Sequence, residues 1–130
     1  MTSLSEITGL TDLNEYPIFS RQNFDRVTLG DAQLQRQLIE SFLSRSAATH
    51  ENLVRAAHAG EEAFGQEIHK LKGVCHFTSA ERMLRVLRSV EGTDLLKDES
   101  MRMQVLAIVV EGLGQLERAL LSFLSELDGR

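Results

Sequence analysis

Proline is almost absent from this 130-residue chain: Pro17 is the only one. Proline removes a backbone donor and clashes with the preceding turn, so nothing after position 17 forces a helix to break. Tryptophan is missing and aromatics are sparse, which leaves aliphatic residues to carry any periodic core pattern. The single cysteine, Cys75, has no partner for an internal disulfide, and this points to a reducing compartment. No segment approaches the ~20 apolar residues of a membrane span. The longest apolar run, Val105 to Val110, is far too short. Residues 1–14 lack a basic stretch followed by an apolar one, so no secretion signal is expected. The net charge of −5 argues against nucleic acid, whose phosphates are neutralised by Lys and Arg. The expectation is a cytoplasmic protein, or a soluble piece of a larger one, that binds neither membrane nor nucleic acid.

What is present is ordinary globular composition, 42% apolar and 25% charged, in a chain long enough to bury one core. Residues 1–18 are polar and read as a flexible N-terminal arm with at most one packed turn; residues 19–130 form the domain. Ser20 is a candidate cap for a short helix to about Val27. Leu29-Gly30-Asp31 then reads as a stop followed by a fresh cap. From Asp31 to about Ala59, Leu34, Leu38, Phe42, Leu53 and Ala57 recur at helical spacing, with Leu34 through Phe42 assigned to the core. Ala59-Gly60-Glu61 is a turn, and the next helix runs to about Thr78. Ser79 breaks it, and a further helix places Met83, Val86, Leu87 and Val90 on one side. After a loop from Gly92 to Glu99, the last helix carries a stripe of Met101, Val105, Ile108, Gly112, Leu116, Leu120, Leu124 and Leu127. No strand pattern appears. The predicted class is all-α, an antiparallel four-helix bundle with a short extra N-terminal helix.

The most informative stretch is Glu67-Ile68-His69-Lys70-Leu71-Lys72-Gly73. At 100° per residue, Glu62, Gly65, Gln66, Lys72, Gly73 and His76 fall within about 60° of His69, and none is apolar. Phe64, Ile68, Leu71, Val74 and Cys75 occupy the opposite arc, so His69 points away from the core. Glu67 is the misfit in that arc, within reach of Lys70. Glycine costs a helix interior about 1 kcal/mol relative to alanine, so Gly65 and Gly73, one turn either side of His69, suggest close approach of something large. Exposed imidazoles are mostly neutral at pH 7 and then carry the free lone pair that a nucleophile needs. Lys72 adds a cation suited to phosphoryl oxygens. Nucleophile, cation and cleared approach together point to phosphoryl transfer, although a lone surface histidine is more often only a surface residue. Cys75 reads as a small core residue, and Gly112 as a close approach between helices.

His69-Lys70-Leu71-Lys72-Gly73, continuing through Ser79-Ala80 to Met83, resembles the His-x-Leu-Lys-Gly signature of histidine-containing phosphotransfer (HPt) domains. The order of elements is similar over roughly Phe19 to Leu127. The resemblance implies a phosphorelay intermediate of two-component signalling, with no ATP-dependent kinase activity and no cofactor of its own. His69 would accept phosphate from a receiver-domain aspartate and pass it to another, Lys72 would stabilise the phosphoryl charge, and Gly73 would open access. The implied partners are response-regulator receiver domains, which bring their own Mg²⁺, and a hybrid sensor histidine kinase; the chain itself would be a monomer. The family usually has Gly where Ser79 sits, and smaller or more polar residues than His76 and Phe77.

Arg82, Arg85 and Arg88 recur every three residues on the following helix. With Lys70 and Lys72 they form either a basic docking surface for an acidic receiver pocket or a solvated face. The partner face is thus read as Gly65, Gln66, Gly73, His76, Lys70, Arg82 and Arg85. Other readings fit less well. In the phosphoacceptor domain of a sensor kinase an acidic residue typically follows the histidine, where Lys70 stands here. A di-metal bundle needs Glu-x-x-His, and Ala47, Arg55, Gln66 and Gly73 stand three residues before the four histidines; no metal site is expected. A non-catalytic helical adaptor remains the alternative.

Overall fold

The computed structural model describes residues 4–129, which form helices and turns with no strand. Six α-helices follow one another: α1 (Leu4–Thr8), α2 (Arg21–Thr28), α3 (Ala32–Ala59), α4 (Glu61–Phe77), α5 (Glu81–Val90) and α6 (Glu99–Asp128). Single 3₁₀ turns lie at Leu13–Glu15 and Asp94–Lys97. The starts of α2, α3 and α6 are set by side-chain caps that satisfy otherwise orphaned N–H groups. Ser20 accepts from the Asn23 N–H, Asp31 from those of Gln33 and Leu34, and Asp98 from that of Met101. The stops use left-handed or glycine backbone. Leu29 and Gly30 end α2 at φ 54° and 69°, and Gly60 separates α3 from α4 at φ 145°.

Helix α3 packs on α4 and α6, α4 on α5, and α5 on α6. Near the α6 start, Arg102 donates to the Ala57 carbonyl at the end of α3; at the other end Arg36 pairs with Asp128. The two long helices are therefore antiparallel. The core is aliphatic, with Ile39, Leu53, Phe64, Ile68, Leu87, Val105, Val109 and Leu120 among its buried members. α4 and α5 have 17 and 10 residues against 28 and 30 for α3 and α6, so their hairpin leaves part of the long pair uncovered. α2 and the preceding segment fill that end, where Phe19, Phe24 and Phe123 meet edge-on at 5.2–5.8 Å between centroids.

Four expectations are revised. The arm is laid on the bundle: Ile7 and Leu13 are buried, and α1 and the Leu13–Glu15 turn lie against α5; residues 1–3 lie outside the described residues. Two short helices, not one, precede the long ones. Leu34 is exposed and Leu38 only half-buried, leaving Phe42 as the core member of that trio. On α6 the fully buried column is Arg102, Val105, Val109, Leu113, Leu116, Leu120, Phe123 and Leu127. Met101, Ile108, Gly112 and Leu124 flank it, because α6 is covered on two sides by α3 and α5 and its apolar face is wider than a single stripe.

The α4–α5 turn is tied to α2. Ser79 is buried at φ 53°, a left-handed conformation that favours glycine. Its side-chain oxygen accepts from Asn23 Nδ2 at 2.9 Å and its carbonyl from the Ser20 N–H at 2.9 Å. Serine thus exchanges conformational ease for a tether, and the turn persists without glycine.

Candidate functional site

His69 stands on the outer face of α4 with 71% of its side chain exposed. Its helix buries Phe64, Ile68, Leu71 and Cys75, which fixes the rotation about the axis and turns His69 outward. A carboxylate not singled out from the sequence meets it there. Glu91, the residue that ends α5, places Oε1 2.6 Å from His69 Nδ1 and Oε2 2.5 Å from Lys72 Nζ. Glu91 lies 22 residues from His69, outside the buried stripe of α5, so neither spacing nor periodicity marked it. Only the antiparallel packing of α4 against α5 brings them together.

The bridge has chemical consequences. A carboxylate only accepts, so a neutral His69 imidazole facing it carries its hydrogen on Nδ1. The lone pair is then on Nε2, which has no hydrogen-bond partner among the described residues. Lys72 donates to the other carboxylate oxygen, and this bond chiefly holds the Glu91 carboxyl below its ordinary range; the His69 bond acts in the same direction and burial opposes both. The sign follows: with its folded value depressed, Glu91 contributes stability above the unfolded carboxylate pKa of about 4.3, and the contribution is lost as pH falls through the lower folded value. At neutral pH the carboxylate is charged, and Lys72 offsets a charge that would otherwise repel an anion approaching His69.

The glycines answer their own question. A Cβ built on Gly65 or Gly73 meets nothing within 4 Å, whereas one on Gly112 would lie 2.4 Å from Met83 Cε. Gly112 serves close packing of α6 on α5, as its place on the stripe suggested. At Gly65 and Gly73 no close approach among the described residues requires the missing side chain. Glu62, Gly65, Gln66, His69, Lys70, Glu91 and Gly92 line a shallow, open hollow.

The remaining expected site residues divide. Lys70 and Gln66 are exposed beside His69, with Lys70 Nζ 3.3 Å from Glu67. His76 is exposed on the same face, its Nε2 3.4 Å from Arg88 Nη2. Arg82 and Arg85 are drawn into the N-terminal segment. Arg82 donates from Nε to the Tyr16 carbonyl at 2.8 Å. The Arg85 guanidinium lies 4.8 Å from the Tyr16 ring centroid and 3.7 Å from Asp12. A continuous free arginine row is therefore absent from α5, and Arg88 is its one member beside the histidine face. The i, i+3 spacing showed the row but not the arm that covers two of its members. Cys75 is buried, and burial pushes its thiol up to about 12, which keeps it protonated and inert.

Among the described residues no three His, Cys, Asp or Glu side chains gather as metal ligands, and no helix is long and apolar enough to cross a membrane. Comparison with protein-family models, curated proteins and solved structures found no match.

Proposed function

We propose that this chain is a phosphorelay intermediate, an antiparallel four-helix bundle of the HPt type whose α3–α6 carry the bundle and whose His69 is the phosphoryl acceptor. The observation that carries the reading is the Glu91 bridge, which leaves Nε2 of an exposed His69 as the free nucleophile. In the forward step the Nε2 lone pair attacks phosphorus of an aspartyl phosphate on a receiver domain. The bond from phosphorus to the aspartyl oxygen breaks, and the aspartate leaves as a carboxylate. The Nδ1 hydrogen stays in place, so the phosphorylated ring becomes cationic. Glu91 then stabilises that charge as the carboxylate of a catalytic triad stabilises its imidazolium. Lys72, already within reach, turns from Glu91 towards the phosphoryl oxygens. Attack by a second receiver's aspartate on the N-phosphoryl group reverses the step.

The approach is open because Gly65 and Gly73 present no side chains, and a receiver brings its own Mg²⁺ and acidic pocket. The test is incubation with phosphorylated receiver domains, comparing wild type with His69→Gln on a phosphate-affinity gel. An acid-labile phosphoprotein formed by wild type and absent from a still helical His69→Gln supports the relay. No transfer from any receiver, with partner signalling unchanged in His69→Gln, assigns the chain to the helical adaptors instead.

A further inference from the structure

The face around His69 is polar along its length, but beside it the end of α4 exposes two apolar side chains. Phe77 is 66% exposed and Val74 38% exposed, and no other exposed large apolar side chain stands on this helix. Phe77 is not part of the core cluster and forms no ring pair among the described residues. With Val74 it lines one wall of a groove whose other wall is α3, through Leu38, Phe42 and Arg45. Burial of Phe42 at the groove floor makes the depression apolar, while Arg45, on its rim, has no acidic partner among the described residues.

Distance ties this groove to the histidine. Phe77 lies eight residues beyond His69, about 12 Å along the axis and turned about 80° towards α3. A partner that buries about 800 Å² on each side covers a disc of about 16 Å radius. A domain with an interface of that size centred on His69 therefore reaches Phe77. In the other direction, the same reach meets Glu62, Gly65 and Gln66, which offer it no apolar side chain.

We infer that Phe77, with Val74 and the α3 groove, is the apolar anchor that selects which receiver domain docks on His69. The matching partner carries an aliphatic surface beside its phosphorylated aspartate and acidic residues placed to meet Arg45 and Arg88. This rests on the relay reading above and adds a specificity determinant to it. Phenylalanine at this position is a departure from the smaller residues usual in the family that the chain resembles, so the anchor is a property of this chain. Aromatic side chains seated in a neighbouring apolar groove are the usual energetic centres of interfaces, while surrounding polar contacts contribute less.

The experiment compares wild type, Phe77→Ala and Phe77→Ser with two phosphodonors. One is the receiver domain that labels wild type fastest in a panel; the other is phosphoramidate, which needs no protein surface. Phe77 is exposed, so both variants keep the fold. The expected result is a KM for the receiver raised about tenfold or more, as for loss of a central aromatic contact, with kcat and the phosphoramidate rate unchanged. A receiver KM within twofold of wild type in both variants overturns the anchor. So does an equal loss with phosphoramidate, which would place Phe77 in the chemistry rather than in docking. A concentration-dependent dimer that Phe77→Ser dissolves assigns the groove to a second copy and also overturns it. If neither donor labels His69 of wild type, the relay reading itself falls, a result distinct from the other three.

Discussion

Helices α4 and α6 both carry glycine in their interiors, and the two cases are opposite. On α6, Gly112 faces Met83 so closely that a methyl group would meet it at 2.4 Å. On α4, Gly65 and Gly73 face open space. Both helices accept the same loss of helix propensity, about 1 kcal/mol per glycine. At Gly112 the loss is offset inside the molecule, by close packing against α5. On α4 no such close approach among the described residues offsets it, and the two glycines flank an exposed histidine whose Nδ1 is held and whose Nε2 is free. Gly112 serves the fold, and on the relay reading proposed above the outer face of α4 serves a partner that approaches it. Substitutions on the two should therefore separate, those around α4 changing transfer and those on α6 changing stability.

The largest separation is expected between Glu91 and Arg102. Glu91→Ala removes the partner of Nδ1 and the balance to Lys72, and should slow phosphotransfer about 10²-fold, the lower end of what a positioned proton partner contributes. Its thermal midpoint at pH 7 should move little, since the bridge is partly exposed. Stopped labelling with a phosphorylated receiver checks the first and calorimetry the second; normal transfer would remove Glu91 from the mechanism. Arg102 is buried and donates to the carbonyls of Ala57, Leu96 and Lys97 at 2.9–3.1 Å. Arg102→Ala should cost about 2–4 kcal/mol by leaving these acceptors unpaired, read by urea unfolding, while the folded fraction keeps its transfer rate.

A gain of stability sharpens the contrast further. Gly65→Ala with Gly73→Ala should stabilise the chain by about 1–2 kcal/mol, because the backbone is helical and the space is empty. The same pair should slow transfer from a receiver severalfold while leaving labelling by phosphoramidate unchanged. Stability without a loss of transfer would mean that access is not what the glycines provide. Gly112→Ala should be the mildest. Met83 Cε is the far end of a flexible side chain beside a cleft, so its displacement roughly cancels the propensity gained, within about 1 kcal/mol, and transfer stays as it was.

Much of the fold was legible in the sequence because it is written in local chemistry. The caps at Ser20 and Asp31, the glycine at 60 and the break at 79 each act within a few residues, and all fall where the pattern put them. The outward turn of His69 followed equally from a periodicity confined to one helix. What was missed depends on contact between distant segments. Glu91 becomes part of the site only when the end of α5 meets the middle of α4. Arg82 and Arg85 leave the basic face only because the N-terminal segment folds over them, a segment whose polar composition gave no sign of packing. Arg102 was hidden for the same reason, since a buried arginine looks like a surface one until the carbonyls around it are known.

The most direct measurement is a long-range ¹⁵N–¹H spectrum of the His69 imidazole, before and after treatment with a phosphorylated receiver, with ³¹P detection of the bound group. The account expects the neutral ring to carry its hydrogen on Nδ1, and phosphorus to appear on Nε2 with the Nδ1 hydrogen retained. A hydrogen on Nε2 in the resting ring, or a phosphoryl group on Nδ1 or on no histidine at all, would contradict it.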